Sequence, residues 1–400
     1  MMRKKLGYSL ENVSRDLYIS KGSLSEMENG IRPMKKELFD RFLSTYDMEF
    51  SEDFCFVAKL KEVLSEEVDA FLWLDKNKQK KVRERFQKIK EKAEKSYACF
   101  LEKLIDYFEQ VVLDHENGSD LFNELFEVQT CFSNDERALL FMIRGIEGRW
   151  NLTLRTMEAD FERALRLADE RELSGLKALI GYYQIYELQR KRISFAAQER
   201  CIEVRKQFHA MHNYLRALYL DNLEALGLSY LRAYESAYSR LQTLLKNIEY
   251  AKDEYLHFCV AQNAILVLCV MGRFSEALAL MQKEKSTFQY GLSNFVFAPY
   301  CLYRLGRKEQ TIATIRELEP YIVELDDRLL NDMVMAAFAQ DRESFFEAAT
   351  RLLALDQKRR LLENVDIDFQ FIIHFCREMG LKEELIEAQD AYIAFLNVPG

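Results

Sequence analysis

Residues 268–278 read LCVMGRFSEAL and residues 302–312 read LYRLGRKEQTI, so the same pattern returns after 34 positions. Gly272 and Gly306 take matching places in the two copies, and an Arg follows each of them. Such a period is typical of stacked helical pairs, in which each pair buries its apolar face against its neighbours. The repeat therefore predicts a helical solenoid.

The same frame extends towards the N-terminus as an aromatic residue placed three positions before a small or polar one. The pairs are Phe161/Ala164, Phe195/Gln198, Tyr234/Ala237 and Phe274/Ala277, at offsets of 34, 39 and 40. Over residues 120–360 this pattern resembles degenerate tetratricopeptide repeats, with Pro299 expected to kink or shorten one first helix. The alternative is a generic helical solenoid.

The composition agrees with an all-α fold. The 400 residues include only 14 Gly and 4 Pro, with 49% hydrophobic and 30% charged residues. Scarce Gly and Pro argue against turn-rich sandwiches, barrels and low-complexity chains. No apolar stretch reaches the roughly 18 residues that a membrane span requires, so we expect a cytoplasmic protein with no membrane contact.

The N-terminal region predicts a helix-turn-helix. Ser9 and Ser20 are suited to cap helices over residues 10–17 and 21–29. Gly30 supplies a left-handed stop, and Pro33 opens a third helix that runs to about Tyr46.

Residues 6–14 (LGYSLENVS) and 19–30 (ISKGSLSEMENG) resemble the phage-repressor-type (Xre) helix-turn-helix domain. The resemblance implies an ion pair between Glu28 and Arg3 and a set of DNA-binding residues, which are Ser20, Lys21, Gly22, Ser23, Glu26, Arg32 and Lys35. Two features depart from the family: the first helix is cut to residues 1–6, and Leu10 replaces the usual Gln. The alternative is a three-helix module used only for protein contacts.

The segment that follows is helical and basic. Residues 60–112 have apolar side chains at helical spacing and predict one or two long helices. Residues 76–95 carry ten Lys or Arg against three Glu, and residues 1–46 carry nine against six acids, whereas the whole chain has a net charge of −9. Nucleic acid could bind only at this basic end, although a solvated helix face also explains residues 76–95. The break at residues 114–120 matches no metal template and is interpreted as an exposed loop.

The repeat frame also locates candidate ligand residues. Fourteen positions before each small or polar residue lies a site on the first helix of the pair, and in tetratricopeptide repeats this site lines the inner concave surface. Side-chain amides there can donate to and accept from a peptide backbone. The sites are Trp150, Gln184, Leu223, Asn263, Phe297 and Asn331. The candidates for peptide binding are Gln184, Asn222 (beside Leu223), Asn263, Phe297 and Asn331. For any one Asn, capping of a neighbouring backbone or hydration is the alternative.

Known catalytic motifs are absent from the sequence, including the phosphate-binding loop, the dinucleotide fingerprint, the zinc-protease helix and the nucleophile elbow. His209 and His212 near Cys201 lack a fourth zinc ligand. We therefore expect no enzyme, no cofactor and no metal.

Taken together, the chain resembles the peptide-pheromone-responsive regulators of Gram-positive bacteria (the Rgg, PlcR, PrgX and NprR group). The resemblance implies three segments: a DNA-binding domain at 1–50, a helical connector with a long helix at 51–118, and a repeat domain at 119–400. It also implies a homodimer that binds a double-stranded DNA operator and a short signalling peptide, with the peptide changing the geometry of the dimer on DNA. The competing interpretation is a tetratricopeptide-repeat scaffold without DNA binding; an enzyme on the same repeat, such as a phosphatase, is a weaker third.

Overall fold

Helices make up nearly all of the computed structural model, which describes residues 3, 7–29, 31–51, 55–150, 154–190, 194–286, 292–359 and 362–397. These residues form 21 α-helices, and the β structure among them is an isolated bridge between Ser51 and Ser96. The expected all-α class is confirmed. The chain divides into two compact units, Met1–Lys177 and Ala178–Gly400. The domain boundaries proposed at residues 50 and 118 stay predictions. In the described part of the chain, no helix is both long and apolar enough to cross a membrane.

The first unit begins with the three predicted short helices. They are α1 (Leu10–Asp16), α2 (Lys21–Glu28) and α3 (Lys36–Thr45). Ser9 and Ser20 cap α1 and α2 as expected, each accepting a hydrogen bond from the backbone N–H three residues on. α3 begins three residues after Pro33. Gly30 and residues 1–6 other than Arg3 lie outside the described residues. A small core of Val13, Leu17, Leu24 and Phe42 joins the three helices.

The connector contains three helices rather than the predicted one or two. They are α4 (Cys55–Leu72), α5 (Lys76–Glu94) and α6 (Cys99–Phe108), and a π-helical turn, Glu109–Leu113, continues α6. Leu74 takes a left-handed conformation with φ of 56°, which stops α4 without a Gly or Pro. The second break lies at Ser96, whose buried Oγ donates to Ala93 O and accepts from Ala98 N. Apolar periodicity continues across both breaks, so it could not show them.

The rest of the first unit is one short helix and one antiparallel pair. After the predicted loop come α7 (Ser119–Glu127), α8 (Asn134–Trp150) and α9 (Leu154–Leu167). In the pair, Gly145 of α8 faces the buried ring of Phe161; a Cβ at Gly145 would lie 2.7 Å from that ring. Phe161 and Ala164 are both buried, as the repeat frame requires.

The second unit is a run of six helical pairs, of which the first helix begins just before the unit boundary. The pairs are α10 (Leu176–Arg190) and α11 (Ser194–Ala210), α12 (Tyr214–Tyr230) and α13 (Tyr234–Ala251), α14 (Glu254–Val270) and α15 (Phe274–Lys283), α16 (Ala298–Arg304) and α17 (Lys308–Leu318), α18 (Leu325–Ala339) and α19 (Arg342–Arg359), and α20 (Leu362–Met379) and α21 (Lys382–Asn397).

Most of the predicted packing positions of these pairs are buried. Ala237 and Ala277 are fully buried at the small-residue site. Phe195 is the exception: 89% of its surface is exposed, so it does not fill the space between pairs as its place in the frame suggested. Pro299 shortens its helix as expected, because a 3₁₀ turn, Ser293–Phe297, replaces the first turns of α16.

Candidate functional site

The first helices of the second unit form a shared surface. α12 contacts α14 directly, and α16 contacts α18. In a solenoid of helical pairs, helices that contact their counterparts in the next pair lie on the inner side of the curve. We call the surface of α10, α12 and α14 the inner face.

The clearest polar contact on the inner face joins two of the predicted amides. Asn263 of α14 donates from Nδ2 to Oδ1 of Asn222 of α12 over 2.9 Å, and both side chains are half-buried. Among the described residues, no further partner satisfies the Asn222 amide hydrogens or the Asn263 oxygen. Those atoms are a donor and an acceptor fixed side by side, which is the pattern of a peptide backbone group.

A second pair of amides extends this row, and sequence reasoning missed it. Gln262 accepts from the Asn294 backbone N–H at 2.7 Å, and Asn294 Nδ2 donates to the Gln262 carbonyl at 2.8 Å. The Gln262 Nε2 is buried and has no hydrogen-bond partner in the described structure. The 34-residue frame could not show Gln262, because the matching position one repeat later is Val296. The sequence did offer one signal for Gln262, which is that it directly precedes the predicted Asn263.

Gln184 lies at the other end of the inner face, on α10. Its side chain is only 7% exposed, and within the described residues its Oε1 accepts no hydrogen bond. α10 and α12 are joined beside it, since the Arg216 guanidinium lies 5.6 Å from the centre of the Tyr182 ring. Burying an amide oxygen without a hydrogen-bond donor costs about 1–3 kcal/mol of stability. A ligand N–H that donates to Gln184 Oε1 would remove this cost.

The structure corrects the prediction for Phe297. Its side chain is 1% exposed and belongs to the hydrophobic core that also holds Ile367 and Phe371 of α20. Asn331 is 5% exposed, and its Oδ1 has no partner in the described part of the chain. Phe297 is therefore a core residue rather than a residue on an open surface.

Helix α20 explains this burial because it packs against first helices far back in the chain. Gln370 donates to the Val270 carbonyl at the end of α14 over 3.1 Å, and Phe371 packs on Tyr300 of α16 with ring centres 4.8 Å apart. Asp366 accepts hydrogen bonds from Arg232 (3.1 Å), Tyr234 (2.7 Å) and Tyr392. The C-terminal pair is thus fixed to the middle of the solenoid. The accessible predicted amides are those on α12 and α14, with buried Gln184 beside them on α10.

The predicted DNA-binding residues lie at the start of α2 and just beyond its end. Ser20 Oγ accepts from the Ser23 N–H at 3.1 Å, which fixes the first turn of α2. Lys21, Gly22 and Glu26 are exposed, and a Cβ at Gly22 would meet no atom within 4 Å. The fold therefore does not require Gly at this position, and its small size permits close approach of another molecule. Arg32 and Lys35 are also exposed.

One internal contact predicted from the helix-turn-helix resemblance is confirmed. The Arg3 guanidinium donates to both carboxylate oxygens of Glu28, at 2.7 and 3.0 Å. The hydrogen bond to Glu28 raises the pKa of Arg3. This bidentate pair fastens the end of α2 to the segment before α1.

The other sequence candidates are occupied by structural contacts. Asp114, in the predicted exposed loop, accepts two hydrogen bonds from Arg83. That hydrogen bonding lowers the pKa of Asp114. Cys201 is buried, and burial raises the pKa of its thiol to about 12, which disfavours a thiolate ligand. His212 contacts the Tyr214 hydroxyl at 3.1 Å.

Comparison with solved structures identifies the class of fold. A Rap protein complexed with competence and sporulation factor matches with a TM-score of 0.69 at 13% identity, over 85% of this chain and 97% of that chain. Aspartyl phosphate phosphatase F from Bacillus subtilis matches with a TM-score of 0.54 at 13% identity, over 86% of this chain and 94% of that chain. No protein-family model and no curated protein matches the sequence. The chain is thus an all-α solenoid of tetratricopeptide-like pairs, similar in fold to Rap proteins.

Proposed function

We propose that the second unit binds a short peptide in an extended conformation across α10, α12 and α14. The observation that carries this proposal is the hydrogen bond between Asn263 and Asn222, which orients two half-buried amides on neighbouring helices. Each amide can form a donor and acceptor pair with a peptide unit, while the spaces between helices select side chains. In this proposal the chain is a binding protein and performs no catalysis.

Two further amides support a backbone-directed site. Gln184 presents a buried acceptor without a donor, and Gln262 presents a buried donor without an acceptor among the described residues. An extended peptide offers both kinds of group in alternation. The Rap protein of similar fold was solved in complex with competence and sporulation factor, which supports a binding role for this fold.

A selection from a library of displayed random heptapeptides tests the proposal. We expect the full chain to enrich a related set of peptides, and the N222A/N263A variant to lose them. A matched control is N247A, which changes an exposed Asn on α13 outside the inner face. Failure to enrich any set, or equal binding by the double variant, would contradict the site.

The exposed start of α2 favours a second function, binding of a DNA operator. Lys21, Gly22 and Ser23 follow a capped helix start, the end that enters the major groove in helix-turn-helix proteins. We infer that a homodimer presents two such helices to two half-sites. Peptide binding would then alter DNA binding only if the peptide prefers one dimer arrangement, because equal affinity for both shifts nothing.

Sequencing of genomic fragments captured by the full chain at two salt concentrations tests DNA binding. Enrichment of a palindromic site that is lost at high salt is the expected result. If the chain enriches no site but still selects peptides, it is a peptide-binding or protein-binding scaffold, and the operator proposal fails while the peptide proposal stands.

A further inference from the structure

Helix α5 carries a row of exposed lysines that the fold does not use. Lys81, Lys88 and Lys92 are exposed, and in the described structure none of them lies within 4 Å of a carboxylate. At 3.6 residues per turn these three positions fall within a narrow sector of the helix surface. We call them the lysine row.

Four of the other six cations of α5 pair with acids of the same unit. Lys78 binds Asp69 at 2.5 Å and Lys90 binds Asp106 at 2.6 Å, while Arg83 binds Asp114. Apolar contacts are made by Val82, Phe86 and Ala93, which are buried. The helix is therefore held in place without the lysine row. Repulsion among these lysines lowers stability, and no acid of the described fold offsets it.

The surrounding charge makes the row distinctive. Residues 76–95 have a charge of +7, from ten bases and three acids, in a chain of net charge −9. A local cationic surface on an acidic protein attracts polyanions and repels other cationic surfaces. Along the axis, Lys81 and Lys92 are about 17 Å apart at 1.5 Å per residue. Duplex DNA carries one charge per roughly 1.7 Å of its axis, so each lysine of the row can meet a phosphate.

The C-terminal end of α5 joins the N-terminal helices. The Ser51 N–H donates to the Lys95 carbonyl at 2.7 Å, and Ser51 and Ser96 form a β-bridge. Tyr97 packs against Phe50 and against Phe39 of α3, with ring centres 4.8 and 6.3 Å apart. Lys92 thus lies within a few residues of a fixed junction with the three-helix module.

We propose that the lysine row binds the phosphate backbone of duplex DNA and extends the contact made by the N-terminal helices. This inference rests on the proposed DNA binding but concerns a different surface and a different kind of contact. The helix-turn-helix would select the sequence, and α5 would add affinity that does not depend on sequence.

The test compares the full chain with K81Q/K88Q/K92Q and with the matched control K206Q/K246Q/K382Q, which removes three exposed lysines of the second unit. Binding to a short random-sequence duplex is measured by fluorescence anisotropy between about 50 and 200 mM salt. The logarithmic salt slope should fall by about 2.7 in the α5 variant, at about 0.9 per phosphate, and remain unchanged in the control. K81R/K88R/K92R should restore the slope, which separates loss of charge from loss of folding.

An unchanged slope in the α5 variant overturns the inference. If the α5 variant binds an operator normally while K21A does not, the lysine row takes no part in DNA binding and the proposed operator binding stands. If the unmodified chain binds neither the random-sequence duplex nor an operator, the lysine-row inference and the proposed operator binding both fail. Loss of binding to polyglutamate with unchanged DNA binding would assign the row to an acidic protein partner instead.

Discussion

Asn263 donates a 2.9 Å hydrogen bond to Asn222 across a sequence separation of 41 residues. The bond holds both amides in one orientation before any ligand arrives. Ordering a polar side chain on binding costs about 0.5–1.5 kcal/mol, so a pair that is already ordered lowers the cost of recognition. The relationship therefore gives the inner face a prepared polar site rather than a set of independent side chains.

Replacing either amide should weaken binding of a selected peptide. We expect N222A and N263A each to cost about 1 kcal/mol, or about fivefold in affinity, because each removes a hydrogen bond and disorders its partner. The double variant should cost less than the sum, since the two side chains act together. Titration calorimetry measures all three, with N247A as the control. Additive losses would show that the amides act independently, and unchanged affinity in both single variants would exclude the pair from the site.

The repeat frame predicted α12 and α14 and the two asparagines that they bring together, because a local period determines which residues share a helix face. It could not predict that Phe297 is buried or that Gln262 contacts Asn294. Phe297 shares its core with α20, whose position depends on contacts such as that between Asp366 and Arg232. Contacts over more than 100 residues leave no periodic signal. Local rules did predict the Ser9 and Ser20 caps, since a cap involves only three or four successive residues.

Removing the Lys21 charge should weaken DNA binding without affecting peptide affinity. Lys21 is exposed at the first position of α2 and forms one ion pair, with Glu11 at 3.9 Å. Exposed ion pairs are weak, so a phosphate can displace this carboxylate. We expect K21A to reduce the salt slope on an operator by about 1 and to lower affinity similarly for all sequences. Anisotropy titrations check this, with K246A as the control. An unchanged operator affinity would remove Lys21 from the interface.

Replacing Asp135 should destabilise the first unit. Its side chain is 1% exposed, and its two oxygens accept from the backbone N–H groups of Asp169, Glu170, Glu172 and Leu173 at 2.8–3.2 Å. Burial opposes ionisation, but these four hydrogen bonds outweigh it and lower the pKa of Asp135 below its ordinary 3.8. D135N keeps the shape but offers one acceptor oxygen, so we expect a loss of about 2–3 kcal/mol.

The Asp135 carboxyl should also make the stability of the first unit depend on pH in the acidic range. Because the pKa of Asp135 is lower in the folded state, its carboxylate stabilises the fold fully above pH 3.8. This stabilisation is lost as the pH falls through the pKa of the folded state. Thermal unfolding between neutral and acidic pH should show the unmodified protein approaching D135N at the lowest pH. D169N, at an exposed position of the same loop, is the control. A constant difference between the two curves would contradict the assignment.

Glu67 should produce the opposite pH dependence. It is fully buried on α4 beside Glu109 of the π-helical turn, and Arg83 reaches Glu109 at 3.4 Å. Burial, followed by the charge of Glu109 and the hydrogen bond between the two carboxyls, raises the pKa of Glu67 to about 8. The folded state therefore holds a proton that the unfolded chain releases near pH 4.5.

The stabilisation linked to that proton is complete below pH 4.5 and is lost as the pH rises through about 8. E67Q replaces the protonated carboxyl with a neutral amide that cannot ionise, so its unfolding temperature should fall less across this range than that of the unmodified protein. E84Q, an exposed position on α5, should follow the unmodified curve. Differential scanning calorimetry across the range distinguishes the outcomes. Parallel curves for the unmodified protein and E67Q would mean that Arg83 keeps both carboxylates ionised, and that the buried pair is held by the cation rather than by a shared proton.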